Sequence, residues 1–438
     1  MNPIFLVERV MYRITIGETD LPEEVIKECS TLLGQPTKKL DVLKNRYKQV
    51  FGRYIIKRCS RVDNEELCLY TLNQRVPFKL MPVTMYATGT ILLFRDEEPI
   101  DVIAYPMPKA LSYMKTSGIT AEEYGSTVPR EVSVRLDGWQ LNAYYNPILR
   151  RWIFATRYVL HNMYFERGKL VEEPFESIAN PYVYVADKLA EELDMYSVLD
   201  KYRGWTFTFV LLGPEPAITH PPYPLGSDYK QYKLVPLLAR DSEGKLYTWS
   251  ETSSLLGIAG PPLVECKKLE ELYEDAKKRL DIRSYIAFVD YGNPEHPLLI
   301  ELESEVYPEA MNVKYLYSAK SAAILICEGY GDKLVNIVSE DVRPRINQLK
   351  ELVTTLERIF LNIASDPKMK DRVVKLVNAV NSIMKRKVIN LDEVVKNLEK
   401  GNIKRIVKKV VGSLLEDHSL MSEEPISLIK KVVEEVTY

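Results

Sequence analysis

Apolar and polar positions alternate in several short runs through the first three-quarters of the chain, and recur every three to four residues in the last quarter. Two helices are expected early, one opened by Leu21-Pro22-Glu23-Glu24 with Asp20 as its cap, the other over Lys38–Phe51. Strands are expected over Tyr54–Cys59 and Leu67–Leu72. From Thr88 to Ala104 the chain reads Gly-Thr-Ile-Leu-Leu-Phe, a charged turn, then Ile-Asp-Val-Ile-Ala, which predicts a β-hairpin with a polar tip. A second hairpin is expected around Asn146-Pro147, joining a strand over Val132–Tyr145 to Arg151–Arg157. Residues 182–202 read as helical, and Trp205–Gly213 alternates like a strand entering a buried sheet. The Pro- and Gly-rich stretch Gly213–Tyr229 predicts an irregular loop, and Lys233–Arg240, Tyr285–Asp290 and Pro297–Glu303 predict further strands. Beyond about residue 340 the character is helical. Leu349, Leu352, Leu356, Ile359 and Phe360 share one face, Asp366-Pro367 and Asn390-Leu-Asp392 mark helix starts, and Gly401 and Gly412 mark breaks.

A chain of 438 residues exceeds one typical core. The pattern divides it into an α/β module over 1–80, an α+β domain over 81–325 and a helical domain over 340–438. At 46% apolar and 27% charged, the composition is that of a globular protein. No apolar run approaches a membrane span, and the first residues lack the pattern of a secretory signal, so a cytoplasmic protein without a membrane partner is expected. Cys29, Cys59, Cys68, Cys266 and Cys327 have no paired spacing, which favours reduced thiols over a disulfide framework or a zinc site. Abundant Lys, Glu, Ile and Val with few Gln point to a thermophilic source.

The net charge of −2 conceals an asymmetry. Residues 343–412 carry 17 basic against 7 acidic side chains, whereas 413–438 carry 2 against 6. Lys385, Arg386, Lys387, Lys396, Lys400, Lys404, Arg405, Lys408 and Lys409 concentrate that excess, which fits either a polyanion such as RNA or ordinary solvated helix faces. His161, His220, His296 and His418 are dispersed without metal-ligand spacing, so no metal site is expected; Gly-x-Ser-x-Gly and P-loop motifs do not occur. Glu301, Glu303 and Glu305 alternate, as on one strand face, suited to a cation or simply to solvent.

Several segments in order resemble the first family of phage-type ATP-dependent RNA ligases, covalent nucleotidyltransferases. They are Gly89-Thr-Ile-Leu-Leu-Phe94, Asp96-Glu-Glu-Pro99, Ala104-Tyr-Pro-Met-Pro-Lys-Ala-Leu-Ser-Tyr113, Arg135-Leu-Asp-Gly138, Ile153-Phe-Ala-Thr-Arg157, Thr206–Ile218, Leu237–Gly244 and Ser284–Val289, together covering about residues 85–320. The resemblance implies a nucleotidyltransferase core (ATP-grasp-like, with antiparallel sheets) followed by an all-helical C-terminal domain that contributes to RNA (often tRNA) choice. It also marks departures. The nucleophilic lysine of Lys-x-Asp-Gly becomes Arg135, although Asp137 and Gly138 remain. The ribose-binding glutamate becomes Val210, an Asn-Arg pair becomes Pro216-Ala217, Glu-Gly becomes Arg283-Ser284, and an early arginine falls on Thr88. The Lys-x-Lys pair becomes Glu301-Leu302-Glu303, or keeps one lysine if aligned through Asn312-Val313-Lys314. Lys109 matches, and Arg157 stands in for a lysine.

A guanidinium stays protonated and its lone pairs are delocalised, so arginine is no amine nucleophile. Replacing two cations by anions at a phosphate site adds repulsion. The expectation is therefore a degenerate, inactive ligase-like protein that binds RNA or serves in an RNA repair or processing assembly, alone or with an active ligase as partner. The alternatives are an active divergent RNA ligase and a structural protein reusing the fold. No cofactor is expected unless the ligase alternative holds, which requires ATP and Mg. Lys109, Arg135 and Arg157 are the candidate nucleotide- or phosphate-binding residues. Arg135 is equally suited to a salt bridge with Asp137 or another acid, and Lys109 to an ordinary surface position.

Overall fold

The structure is a computed structural model, and it describes residues 1–18, 20–73, 81–160, 163–166, 169–172, 181–213, 229–290, 296–365, 369–385 and 387–437. It divides into two compact units, Met1–Ala276 with Ser284–Glu303, and Lys277–Arg283 with Ser304–Tyr438. The fold class is α+β, with antiparallel sheets in the first unit and helices in the second.

The first unit opens with α1 (Pro3–Thr15), α2 (Glu23–Leu32) and α3 (Leu40–Arg53). Asn2 caps α1, its side-chain oxygen accepting from the amides of Ile4 and Phe5 at 2.9 and 3.2 Å. The residue before α2 is Pro22, with no side-chain cap, so the capping role expected of Asp20 is not filled; a proline there already fixes φ and has no amide to satisfy. Next come β1 (Ile55–Val62), β2 (Glu65–Leu72), α4 (Met81–Thr84), β3 (Thr88–Arg95) and β4 (Glu98–Ala104), and the four strands form one antiparallel sheet in chain order. The β3–β4 hairpin turns on Asp96 and Glu97, both left-handed at φ 49° and 68°, as a two-residue connection with native twist requires.

One expectation is corrected in this sheet. Cys59 and Cys68 are not free thiols but form a disulfide. The antiparallel register places them directly opposite each other on β1 and β2, a pairing invisible from their spacing alone. Cys29, Cys266 and Cys327 remain thiols.

The unit continues with β5 (Leu111–Ser112), α5 (Ala121–Tyr124), β6 (Glu131–Val134), β7 (Trp139–Asn146), β8 (Arg151–Thr156), β9 (Met163–Glu166), β10 (Lys169–Glu172), α6 (Pro181–Glu192), α7 (Met195–Leu199), β11 (Thr206–Leu212), β12 (Lys233–Arg240), β13 (Leu246–Tyr247), α8 (Trp249–Leu256), β14 (Leu263–Val264), α9 (Leu269–Ala276), β15 (Ser284–Val289) and β16 (Leu298–Glu303). Two five-stranded sheets result, ordered β13-β12-β11-β7-β8 and β14-β6-β15-β16-β5, antiparallel apart from the β16–β5 pair, with β9 and β10 as a separate hairpin. The long strand expected over Val132–Tyr145 is therefore two strands in different sheets, broken at Arg135–Gly138. Gly138 shows why. A Cβ there would lie 2.4 Å from the Leu211 carbonyl oxygen and 2.7 Å from a Val210 methyl, so the chain crosses β11 at a distance only glycine permits.

The second unit is helical from Tyr307, earlier than the sequence pattern indicates: α10 (Tyr307–Leu316), α11 (Ala319–Cys327), α12 (Gly331–Val335), α13 (Arg343–Ala364), α14 (Met369–Ile383), α15 (Leu391–Glu399), α16 (Ile403–Leu414) and α17 (Glu424–Thr437). Leu349, Leu356 and Phe360 of α13 pack with Val407, Val410 and Leu414 of α16 in its core, with Leu352 and Ile359 at the margin. Asn390 caps α15 as expected, and Gly401 ends it at φ 70°. Gly412 does not break a helix; it lies inside α16, whose buried face outweighs the propensity cost. No helix among the described residues is long and apolar enough to cross a membrane.

Candidate functional site

Side chains on the β7-β8-β11 sheet alternate between its faces. Leu141, Ala143, Phe154, Phe207, Phe209 and Leu211 pack with the residues of α6. The opposite face therefore carries Gln140, Asn142, Tyr144, Thr206, Thr208 and Val210, and Arg157 continues that face just beyond β8. Tyr144, Ile153 and Ala155 on it pack against Leu67, Leu69, Ile91 and Leu93 of the β1–β4 sheet. Towards its polar end, Thr208 donates to Asn142 Oδ1 at 3.1 Å. The segment Tyr105–Lys109 is tied along this face by Tyr105 N to Thr206 Oγ1 at 2.7 Å, Thr88 Oγ1 to Met107 O at 2.7 Å and Lys109 N to Met85 O at 2.8 Å.

Arg135 leaves the end of β6, its amide donating to the Ser284 carbonyl at 2.9 Å. Its guanidinium forms an ion pair with Glu301 of β16, and the same carboxylate oxygen accepts from Ser284 Oγ at 2.8 Å. Glu301 is only 8% exposed, so this pairing is what makes its burial tolerable. Two positions along, Glu303 accepts from Ser112 Oγ at 2.6 Å and pairs with Lys115. Burial pushes the Glu303 carboxyl upward, but the bonds from Lys115 and Ser112 and the charges of Lys115 and Arg135 outweigh it and hold the group below its ordinary value.

Lys109 and Arg157 differ from these pairs. Partial burial, then the nearby Arg157 guanidinium, lower the Lys109 pKa, with Glu301 opposing. Among the described residues neither cation joins an ion pair; Arg157 lies over the Tyr158 ring at 5.5 Å, and its Nε is buried without a hydrogen-bond partner. Gln140 Nε2 is buried and unpartnered in the same sense. Val210 is buried and brings no polar atom to this face.

Of the residues the sequence singled out, the structure joins Arg135 to Glu301, and couples Lys109 to Arg157 and Glu301 electrostatically. The acid that takes Arg135 is Glu301 rather than the neighbouring Asp137, which is half-buried. Glu301 and Glu303 share β16, while Glu305 lies beyond its end. Arg283 belongs to the second unit and is exposed. In that unit Lys385, Lys387, Lys396, Lys400, Lys404 and Arg405 are exposed, whereas Lys408 pairs with Glu328 and Lys409 with Glu393. Arg386, His161, His220, Pro216-Ala217 and Asp366-Pro367 lie outside the described residues. Ser112, Lys115 and Gln140 were missed. Strand parity with Asn142 is the one signal that marks Gln140; nothing in the local sequence marks Ser112 or Lys115.

The arrangement suits an anion better than a metal ion. The carboxylates a divalent cation would need, Glu301 and Glu303, are already neutralised by Arg135 and Lys115. Cys59, Glu66 and Cys68 also cluster within 4.8 Å, but a disulfide leaves no thiolate to ligate.

No protein-family model matches the chain, and no curated protein matches its sequence. Among solved structures it is similar to an archaeal ATP-dependent RNA ligase, form 1, at 11% identity and TM-score 0.37, covering 88% of this chain and 90% of that one. It is also similar to a Naegleria gruberi RNA ligase variant with ATP and Mn, at 14% identity and TM-score 0.32, covering 61% of this chain and 82% of that one. Against the same ligase with PPi the figures are 16% and 0.30, covering 43% of this chain and about half, 52%, of that one.

Proposed function

We propose that this chain is a catalytically inactive RNA-ligase-like protein that binds RNA, alone or as a subunit of an RNA repair or processing assembly. The observation that carries the proposal is the Arg135–Glu301 ion pair. Two positions at which the resemblance calls for lysines have become an acid and a base that satisfy each other. A guanidinium cannot attack a phosphoryl group, and a carboxylate in place of a phosphate-binding cation opposes a triphosphate. Val210 removes the ribose-binding carboxylate as well. The exposed basic side chains of α15 and α16 support RNA as the partner, through sequence-independent phosphate contacts.

Incubation with α-labelled ATP and Mg²⁺, followed by a denaturing gel, tests the loss of chemistry. Neither the wild-type protein nor Arg135→Lys should become labelled, because restoring one amine leaves Glu301 and Val210 in place. A labelled wild-type band overturns the proposal. One observation favours a second reading: Lys109 is a half-buried amine near enough to Glu301 to feel its charge, and that burial, followed by the Arg157 charge, lowers its pKa. On that reading the wild-type label appears and is lost in Lys109→Arg.

A further inference from the structure

A second run of positive charge lies in the first unit. Residues 36–62 carry nine lysines and arginines against one acid, Asp41, in a chain whose net charge is −2. The run forms α3 and β1, and α3 packs back on the sheet, its Phe51 ring meeting Tyr70 of β2 edge-on at 6.0 Å. Three of the nine are engaged within the fold: Lys38 pairs with Glu23, Arg46 donates to the Leu33 carbonyl at 3.0 Å, and Lys57 lies 3.9 Å from Glu8. The others, Lys39, Lys44, Lys48, Arg53, Arg58 and Arg61, are exposed and join no ion pair among the described residues. Lys44 and Lys48 stand one turn apart on α3 and repel each other. β1 is an edge strand of its sheet, and strand parity sends Arg58 to one side of that edge and Arg61 to the other. Arg58 Nη1 donates to the Tyr158 carbonyl at 2.8 Å, which brings a 39% exposed aromatic residue to the same edge.

From this juxtaposition we infer that α3 and the β1 edge hold the phosphate backbone of single-stranded RNA, with Tyr158 stacking on a base. The inference rests on RNA as the proposed partner and assigns it to a surface built mostly ahead of residues 85–320 and separate from α15 and α16. Cations crowded on one surface without acids repel one another, and a phosphate chain relieves that repulsion while releasing its own counterions. An aromatic ring beside the cations suits a base whose face is free, as in a single strand, rather than one stacked within a duplex. Charges on an edge strand also block pairing with other chains, which accounts for Arg58 and Arg61 but not for the lysines of α3.

The test uses the full chain and a fluorescein-labelled oligouridylate of about 12 nucleotides, with anisotropy read between roughly 50 and 200 mM salt. Lys44→Gln with Lys48→Gln, and separately Arg58→Gln with Arg61→Gln, should each reduce the slope of log K against log salt by about 1–1.5. Tyr158→Ala should weaken binding about fivefold or more and leave the slope unchanged, because it removes a stacking partner and no charge. Circular dichroism checks that the variants are folded. Lys404→Glu with Arg405→Glu serves as the comparison. If that pair lowers the slope while both new pairs keep the wild-type value, RNA binding stands and this surface falls. Wild-type binding by Tyr158→Ala likewise overturns the single-strand surface. A wild-type chain that binds no oligouridylate at any of these salt concentrations overturns the RNA reading and this surface together.

Discussion

Arg135 and Glu301 lie 166 positions apart in the chain, yet one carboxylate oxygen serves both the guanidinium and Ser284. Removing Glu301 strands a partly exposed cation and a buried hydroxyl. Arg135 keeps 37% of its side-chain surface in water, so the cost falls below that of breaking a fully buried pair. We expect Glu301→Ala to cost about 1–3 kcal/mol by urea denaturation. Exchanging the charges, Arg135→Glu with Glu301→Arg, should recover part of that loss. A double variant no more stable than the sum of its two single changes would show that the residues are not coupled. That an acid stands at 301 and a guanidinium at 135 was legible in the sequence. That the two pair was not, because positions 166 apart in the chain carry no record of facing one another.

At the scale of elements, a buried acid joins α1 to the rest of its unit. Glu8 is 5% exposed and accepts from Tyr70 Oη at 2.7 Å and from Tyr47 Oη at 3.1 Å, so α1 is bonded to both β2 and α3. Burial, and then the Glu8 charge, push the Tyr70 hydroxyl well above its ordinary pKa, so it remains a donor throughout the working range. Glu8→Ala leaves both hydroxyls without this acceptor and should destabilise by about 2–4 kcal/mol. Glu8→Gln retains one acceptor oxygen and should cost about half as much; equal denaturation midpoints for the two variants would contradict the network. Most elements were legible because period-two and period-3.6 patterns are imposed by burial on one face. The strand over Val132–Tyr145 was misread because its apolar pattern runs on through Arg135–Gly138, while the break is set by the close passage of Gly138 over β11. The Cys59–Cys68 bond was misread because it depends on register.

For the molecule as a whole, the charge asymmetry makes a prediction about RNA. Lys404 and Arg405 are exposed in the first turn of α16, which holds no acid, whereas Lys408 and Lys409 are each paired with a glutamate. If the basic helices carry RNA, affinity should fall steeply with salt. Lys404→Glu with Arg405→Glu should then reduce the slope of log K against log salt by about 1–1.5 for a single strand, and Lys408→Gln by less. RNA binding that ignores salt, or weakens equally in both variants, would count against this surface.

The sequence by itself determined the α+β class, the hairpins, the helical final part, the basic segment and a guanidinium in place of any amine at position 135, because side-chain chemistry and local periodicity are properties of short segments. Tertiary structure alone decided which acid neutralises Arg135, that Cys59 meets Cys68, and that Gln140 and Arg157 end on one face with their donors unmet. Those outcomes depend on strand register and on which sheet each half of a broken strand joins. Such long-range pairings are chosen by packing across the whole unit, and no local stretch of residues encodes them.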